Sequence, residues 1–195
     1  MKQDTKQKII EAGARIIHRK GYNHTGIQEV LKAAGVPKGS FYFYFSNKED
    51  FGLQVIDFFN QMFTEMVDPL INEYSQSPLR RLEQLFDRFI SLFQSFNYAC
   101  GCPIGNLAQE MGDLSPAFSR KLKDSIDLMI RLYEGLLKAA QAAGEISAEL
   151  DPRKTASFIV SSWHGALIRM KIVKGPEPLE NHKQFILSAL LNRIH

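Results

Sequence analysis

The chain has 195 residues, 45% apolar and 23% charged, a balance that excludes disordered, collagen-like and other fibrous classes and suits one ordinary domain or two small ones. Its net charge of +3 is unevenly spread: residues 1–48 hold nine Lys and Arg against three Asp and Glu, and the remainder holds fifteen against eighteen. A head of local charge +6 on a body of −3 points to a polyanionic partner for the head.

The opening "MKQDTKQKIIEAGARII" lacks the apolar core and cleavage site of a secretory signal. Ile9, Gly13, Ile16, Ile17 and Lys20 recur at helical spacing, which predicts an amphipathic helix over 5–20 closed by Gly21. Thr25 and Gln28 match a capping box for a short second helix with Ile27, Val30, Leu31 and Ala34 on its apolar side and Gly35 as its left-handed stop. Pro37 suits the first turn of a third helix that carries "KGSFYFYF" and ends near Phe45 and Ser46. Asn47 and Asp50 start a fourth, with Phe51, Val55, Phe58, Phe59, Met62, Phe63 and Met66 running to a break at Pro69.

Ser77–Pro78 opens the next helix, "CPIGNLAQEMG" reads as a short or broken one, and Ser115–Pro116 opens a longer one that closes at Gly144. Asp151–Pro152 begins another, ended by Gly175–Pro176, and Leu179, Phe185, Ile186, Leu190 and Ile194 mark the last. No segment alternates like a strand, and none holds the ~20 apolar residues of a membrane helix. The expected fold is all-α with about nine helices, in a cytoplasmic chain without a membrane partner. Cys100 and Cys102 do not make a secreted disulfide framework.

A short helix, a glycine-containing turn and a second short helix make a helix-turn-helix, whose second helix enters the major groove of DNA. Lys38, Gly39 and Ser40 provide a charge and two small residues where a recognition helix meets base edges. Phe41 and Phe45, four apart, share the inner face, and Tyr42, Phe43 and Tyr44 turn outward toward phosphate and thymine methyl groups. "GYNHTGIQEVLKAAGVPKGSFYFYFSNKEDF" resembles the DNA-binding head of the TetR family of bacterial transcriptional regulators, over about a quarter of the chain.

That resemblance implies a helix-turn-helix domain over 1–47 and an effector-binding and dimerisation domain over 48–195. It adds Thr25, Gln28 and Lys48 as phosphate-side contacts, and it assigns Lys38, Gly39, Ser40, Tyr42, Phe43 and Tyr44 to the recognition helix. Phe43 departs from the family, where histidine is frequent; a ring without a hydrogen bond favours an apolar contact and leaves the half-site sequence open.

Pro103 at a helix start places Cys102 at or near the N-cap, where the helix dipole lowers a thiol pKa. "GCPIGNLAQE", with Cys102 and Asn106, resembles the electrophile-sensing subset of the family; the alternative is a small buried cysteine. Two thiols leave a zinc tetrahedron incomplete, so no metal or cofactor is expected. Phe63, Met66, Phe93, Tyr133, Trp163 and His164 are candidates to line a small-molecule effector pocket, although the same stripe also describes a plain core. The last two helices, with small residues in "SFIVSSWHGALIRM", are expected to pair across a homodimer, since two recognition helices are needed to read a palindrome.

The expected function is therefore a dimeric repressor released from its operator by a ligand or electrophile. A ligand-independent activator shares the same head. A cysteine-dependent enzyme built on Cys102 and His164 has no third group or oxyanion segment, and no enzymatic activity is expected.

Overall fold

The computed structural model describes residues 2–191, the side chains of 2, 3, 189 and 190 aside. Its helices are α1 (Lys2–Lys20), α2 (Ile27–Ala34), α3 (Phe41–Tyr44), α4 (Lys48–Ile71), α5 (Pro78–Ser95), α6 (Pro103–Met111), α7 (Pro116–Ala142), α8 (Pro152–Val173) and α9 (Glu177–Phe185). A 3-10 turn, Lys38–Ser40, leads into α3, and a π turn, Ile186–Leu190, extends α9. The all-α expectation holds. Ile194 of the expected last helix lies outside the described residues.

Two compact units emerge. The first comprises residues up to Thr64 together with Pro103–Ser125, and the second comprises Glu65–Cys102 with the residues from Ile126 onward. In the first, Ile9, Ile17, Val30, Leu31, Phe41, Phe45, Phe51, Val55 and Phe118 are all buried. Phe41, Phe45 and Phe51 form a ring cluster with centroids 5.0–5.5 Å apart. Gly13 lets that cluster reach the α1 backbone, since a Cβ there would lie 2.1 Å from Phe51 Cζ.

The second unit packs α5 and α8 around Phe86, with Trp163 at 5.3 Å and Tyr133 at 6.0 Å between ring centroids. Its helices begin where the sequence says they should. Ser77 Oγ accepts from Arg80 N–H, and Asp151 Oδ1 accepts from Arg153 and Lys154 N–H at 3.0 Å each. Along α8, Phe158, Ser161, Gly165, Ile168 and Ile172 lie exposed at helical spacing, joined by Phe185 of α9.

Three local expectations are corrected. Gly26, not Thr25, is the N-cap of α2; Thr25 is buried and its hydroxyl donates to the Gly21 carbonyl at 2.6 Å. No side-chain hydrogen bond caps the start of α2, so the box that Thr25 and Gln28 suggest is not formed; the Glu29 carboxylate instead accepts from Lys20 Nζ at 2.6 Å. Helix α4 does not break at Pro69 but continues to Ile71, because a proline in the last turn removes only one backbone hydrogen bond. Pro37 precedes a 3-10 turn rather than opening the α-helix itself.

Candidate functional site

The α1–α2 connection is set by left-handed and capping positions. Gly21 (φ 88°) ends α1, with its N–H on the Ile17 carbonyl at 2.8 Å. Gly35 (φ 67°) ends α2, where Val36 N–H bonds the Leu31 carbonyl at 3.1 Å, the six-to-one bond of a Schellman cap. Without that glycine the chain could not turn tightly enough to deliver Lys38–Ser40 beside α2.

Between these elements lies an open groove of about 600 Å3, lined by Thr25, Gly26, Ile27, Gln28, Leu31, Lys38, Tyr42 and Lys48. Five of the expected DNA contacts, Thr25, Gln28, Lys38, Tyr42 and Lys48, thus share one surface. The amino terminus of α2 opens into it with no side-chain oxygen capping it from Gly26, an arrangement that presents backbone N–H groups to an anion. Thr25 lines the groove, but its hydroxyl hydrogen is committed to Gly21, so the expected phosphate bond from this hydroxyl is not open in this arrangement.

Lys48 Nζ donates to the Tyr22 carbonyl at 2.9 Å and stands 4.5 Å from the centre of the Tyr22 ring. One N–H is so used, and two of an ammonium's three remain for a phosphate. Partial burial holds the Lys48 pKa below the usual lysine value, opposed by the charge of Glu110. Glu110 itself binds the same connection: its Oε2 accepts from Tyr22 N–H at 2.8 Å and its Oε1 from Asn23 N–H at 2.7 Å.

On the segment Lys38–Phe45, Tyr42 and Phe43 are exposed at 70% and 64%, whereas Phe41 and Phe45 are buried at 0% and 1%. The division of rings between core and surface is as the four-residue spacing requires. Tyr44 and Ser40 are half-buried, with the Tyr44 ring against Phe43 at 4.9 Å. A Cβ at Gly39 or Gly26 would meet nothing within 4 Å. Neither glycine is explained by internal packing, and both leave room for an outside group to approach the backbone.

The expected effector residues are divided between the units: Phe63 and Asn106 fall in the first, while Met66, Phe93, Cys102, Tyr133, Trp163 and His164 fall in the second. Helix α6 begins at Pro103, directly after Cys102. Cys100 and Cys102 are half-buried and not disulfide-bonded. Asn97, Tyr98, Cys100 and Gly101 all adopt positive φ, from 51° to 77°, and Gly101 N–H donates to the Ala99 carbonyl at 2.8 Å across Cys100. A left-handed non-glycine residue costs about 1–2 kcal/mol, so this loop stores strain immediately before Cys102.

Tyr133 is buried, which together with the nearby charge of Cys102 raises its pKa well above the ordinary tyrosine value. Trp163 meets His182 at 5.2 Å and Phe89 at 6.2 Å. His182 of α9, outside the expected effector residues, places Nε2 2.8 Å from Ser162 Oγ, and its Nδ1 is buried without a protein partner. Burial lowers the His182 pKa to about 4 and also lowers that of His164. No group of three metal-ligating side chains occurs among the described residues, and no helix among them is long and apolar enough to cross a membrane.

Comparison with known proteins agrees with this geometry. Residues 9–55 match the family of bacterial regulatory proteins of the tetR type, and residues 78–186 match the tetracyclin repressor-like C-terminal domain. The transcriptional regulator AcuR of Cereibacter sphaeroides is 40% identical over 90% of this chain and 80% of its own length. The repressor NemR of Escherichia coli K12 is 30% identical over 91% of this chain and 89% of its own. Among solved structures, a regulatory protein TetR from Rhodobacter sphaeroides superposes with a TM-score of 0.88 at 38% identity, covering 93% of this chain and 96% of that one. With a basic groove beside a helix-turn-helix and both domains matched, the chain belongs to the TetR family of bacterial transcriptional regulators.

Proposed function

We propose that the chain is a cytoplasmic, homodimeric repressor that binds a palindromic operator and is released by a small effector sensed through the segment around Cys102. The observation that carries the DNA reading is the groove in which Gln28, Lys38, Tyr42 and Lys48 converge on the open amino terminus of α2. In this reading Gln28, Lys48 and the α2 amides hold phosphate. Lys38, Gly39, Ser40, Tyr42 and Phe43 face base edges, with Tyr44 and Thr25 beside them, and residues 1–47 act as the DNA-binding domain on a sensing body of 48–195. The exposed α8 stripe is the surface for the second copy, which a palindrome requires.

Lys48→Ala is expected to weaken binding alike on all DNA sequences and to reduce the salt slope by about one unit, the loss of one phosphate contact. Phe43→Ala is expected instead to change which sequences are selected from random DNA, with the salt slope kept. Fluorescence anisotropy across a salt series checks both, and an unchanged slope for Lys48→Ala removes it from the phosphate contacts.

For sensing, Cys102 is the proposed nucleophile: it sits at the start of α6, where the helix dipole favours a thiolate. Its thiolate adds across the double bond of a maleimide or quinone, forming a carbon–sulfur bond, and the resulting carbanion takes a proton from water. The expected result is loss of operator binding on treatment with N-ethylmaleimide. Equal release from a Cys102→Ser variant overturns this role. The effector changes affinity only by preferring one conformation of the dimer over another.

A further inference from the structure

We propose that Glu110 is a positioning residue for DNA binding: its carboxylate, carried on α6, holds the α1–α2 connection in the place from which α2 and Lys48 meet phosphate. The role rests on the DNA reading above. Both carboxylate oxygens are used, each on a main-chain amide, Tyr22 N–H at 2.8 Å and Asn23 N–H at 2.7 Å. Charge-assisted bonds of this kind are the stronger class and are directional.

What the clamp holds is one peptide segment with the groove attached to its other side. The Tyr22 carbonyl accepts from Lys48 Nζ at 2.9 Å and from Thr25 N–H at 3.1 Å. The Tyr22 ring is buried on Phe118, with centroids 4.9 Å apart. Gly21 is shaped to the carboxylate as well: a Cβ there would lie 2.8 Å from Glu110 Oε2, on a backbone already at φ 88°. A Cβ at Gly52 would strike Phe118 and Tyr22 at 2.5 and 2.6 Å, so the opposite side of the tyrosine is filled too. A shift of α6 therefore moves Tyr22, and with it Lys48 and the start of α2.

The charge of Glu110 makes the inference decidable. A carboxylate whose field reaches Lys48 opposes an incoming phosphate, so simple electrostatics requires its removal to tighten DNA binding. Positioning requires the reverse. In Glu110→Gln the side chain keeps its shape, but its amide can accept only one of the two N–H groups and turns a donor toward the other.

The test measures the unmutated chain, Glu110→Gln and Glu110→Asp on operator DNA selected by the unmutated chain, with amide exchange followed at residues 22 and 23. Expected for Glu110→Gln is operator affinity about tenfold weaker with the salt slope unchanged, about the loss of one charge-assisted bond. Exchange at Tyr22 and Asn23 should quicken while that of the buried α1 amides does not. Glu110→Asp, one methylene shorter but still charged, should lose about threefold, and it decides the matter if the glutamine variant does not fold. Unchanged or tighter binding overturns the role, as does weaker binding accompanied by faster exchange throughout α1, which marks general destabilisation. Failure of the unmutated chain to select any DNA overturns the DNA reading itself, and shows before a variant is made.

Discussion

Phe41→Ala is expected to destabilise the chain by about 3–5 kcal/mol, at the upper end for a large-to-small change, and to abolish operator binding. Phe41 has no exposed surface, its ring touches both Phe45 and Phe51, and Phe51 is pressed against the α1 backbone at Gly13. Such a site cannot collapse into the space left behind, and failure to collapse is what raises the cost. The loss falls on the four-residue α3, which has too few internal hydrogen bonds to persist without its packing. Tyr42→Ala is the control: its ring is 70% exposed, so stability should change by less than about 0.5 kcal/mol while operator affinity falls. Urea unfolding followed by circular dichroism measures both, and a cost below about 1 kcal/mol for Phe41→Ala contradicts the packing account.

Acidification should destabilise the second unit before carboxylates begin to titrate, through His182. Its folded pKa is about 4 because burial disfavours the imidazolium, against an ordinary histidine value of 6.5. The unfolded chain therefore binds the extra proton first. Stability is fully present above about pH 6.5, falls as the pH drops toward 4, and then levels for this group. Allowing for solvent screening of a side chain that is not fully enclosed, the loss is about 1–3 kcal/mol. His182→Gln removes the titrating group, so its stability should be flatter over that window than that of the unmutated chain. His164 shifts in the same direction but is present in both proteins, which leaves the difference to His182. Thermal melts between pH 7 and 4.5 measure it, and parallel profiles contradict the assignment.

Most of the fold was legible because its signals are local. Ser77–Pro78, Ser115–Pro116 and Asp151–Pro152 start helices where a capping oxygen followed by a proline should, and the four-residue spacing of Phe41 and Phe45 sorted rings into core and surface. The local reading failed where two neighbours competed for one role. Thr25 fits a capping motif, but its hydroxyl found a carbonyl four residues back and left the N-cap position to Gly26.

Long-range partners were not legible at all. Glu110 lies 88 residues from Tyr22, and nothing in "NLAQEMG" marks that glutamate as the one that meets a distant loop. His164 and Trp163 are both candidates for one pocket by sequence, yet successive helix positions face different ways. It is His182, from another helix, that packs edge-on against the indole.

The apolar stripe of α8 bears on dosage. Phe158 and Ile172 are 50% and 75% exposed on the single chain; in the proposed dimer this stripe seats a second copy, so the DNA-reading pair is assembled from two chains rather than inherited in one polypeptide. Wherever chains are scarcer than the pair's dissociation constant, operator occupancy rises with the square of their number. A twofold fall in synthesis then empties about three quarters of weakly held sites by mass action, a steepness that a single-chain reader with the same groove would lack.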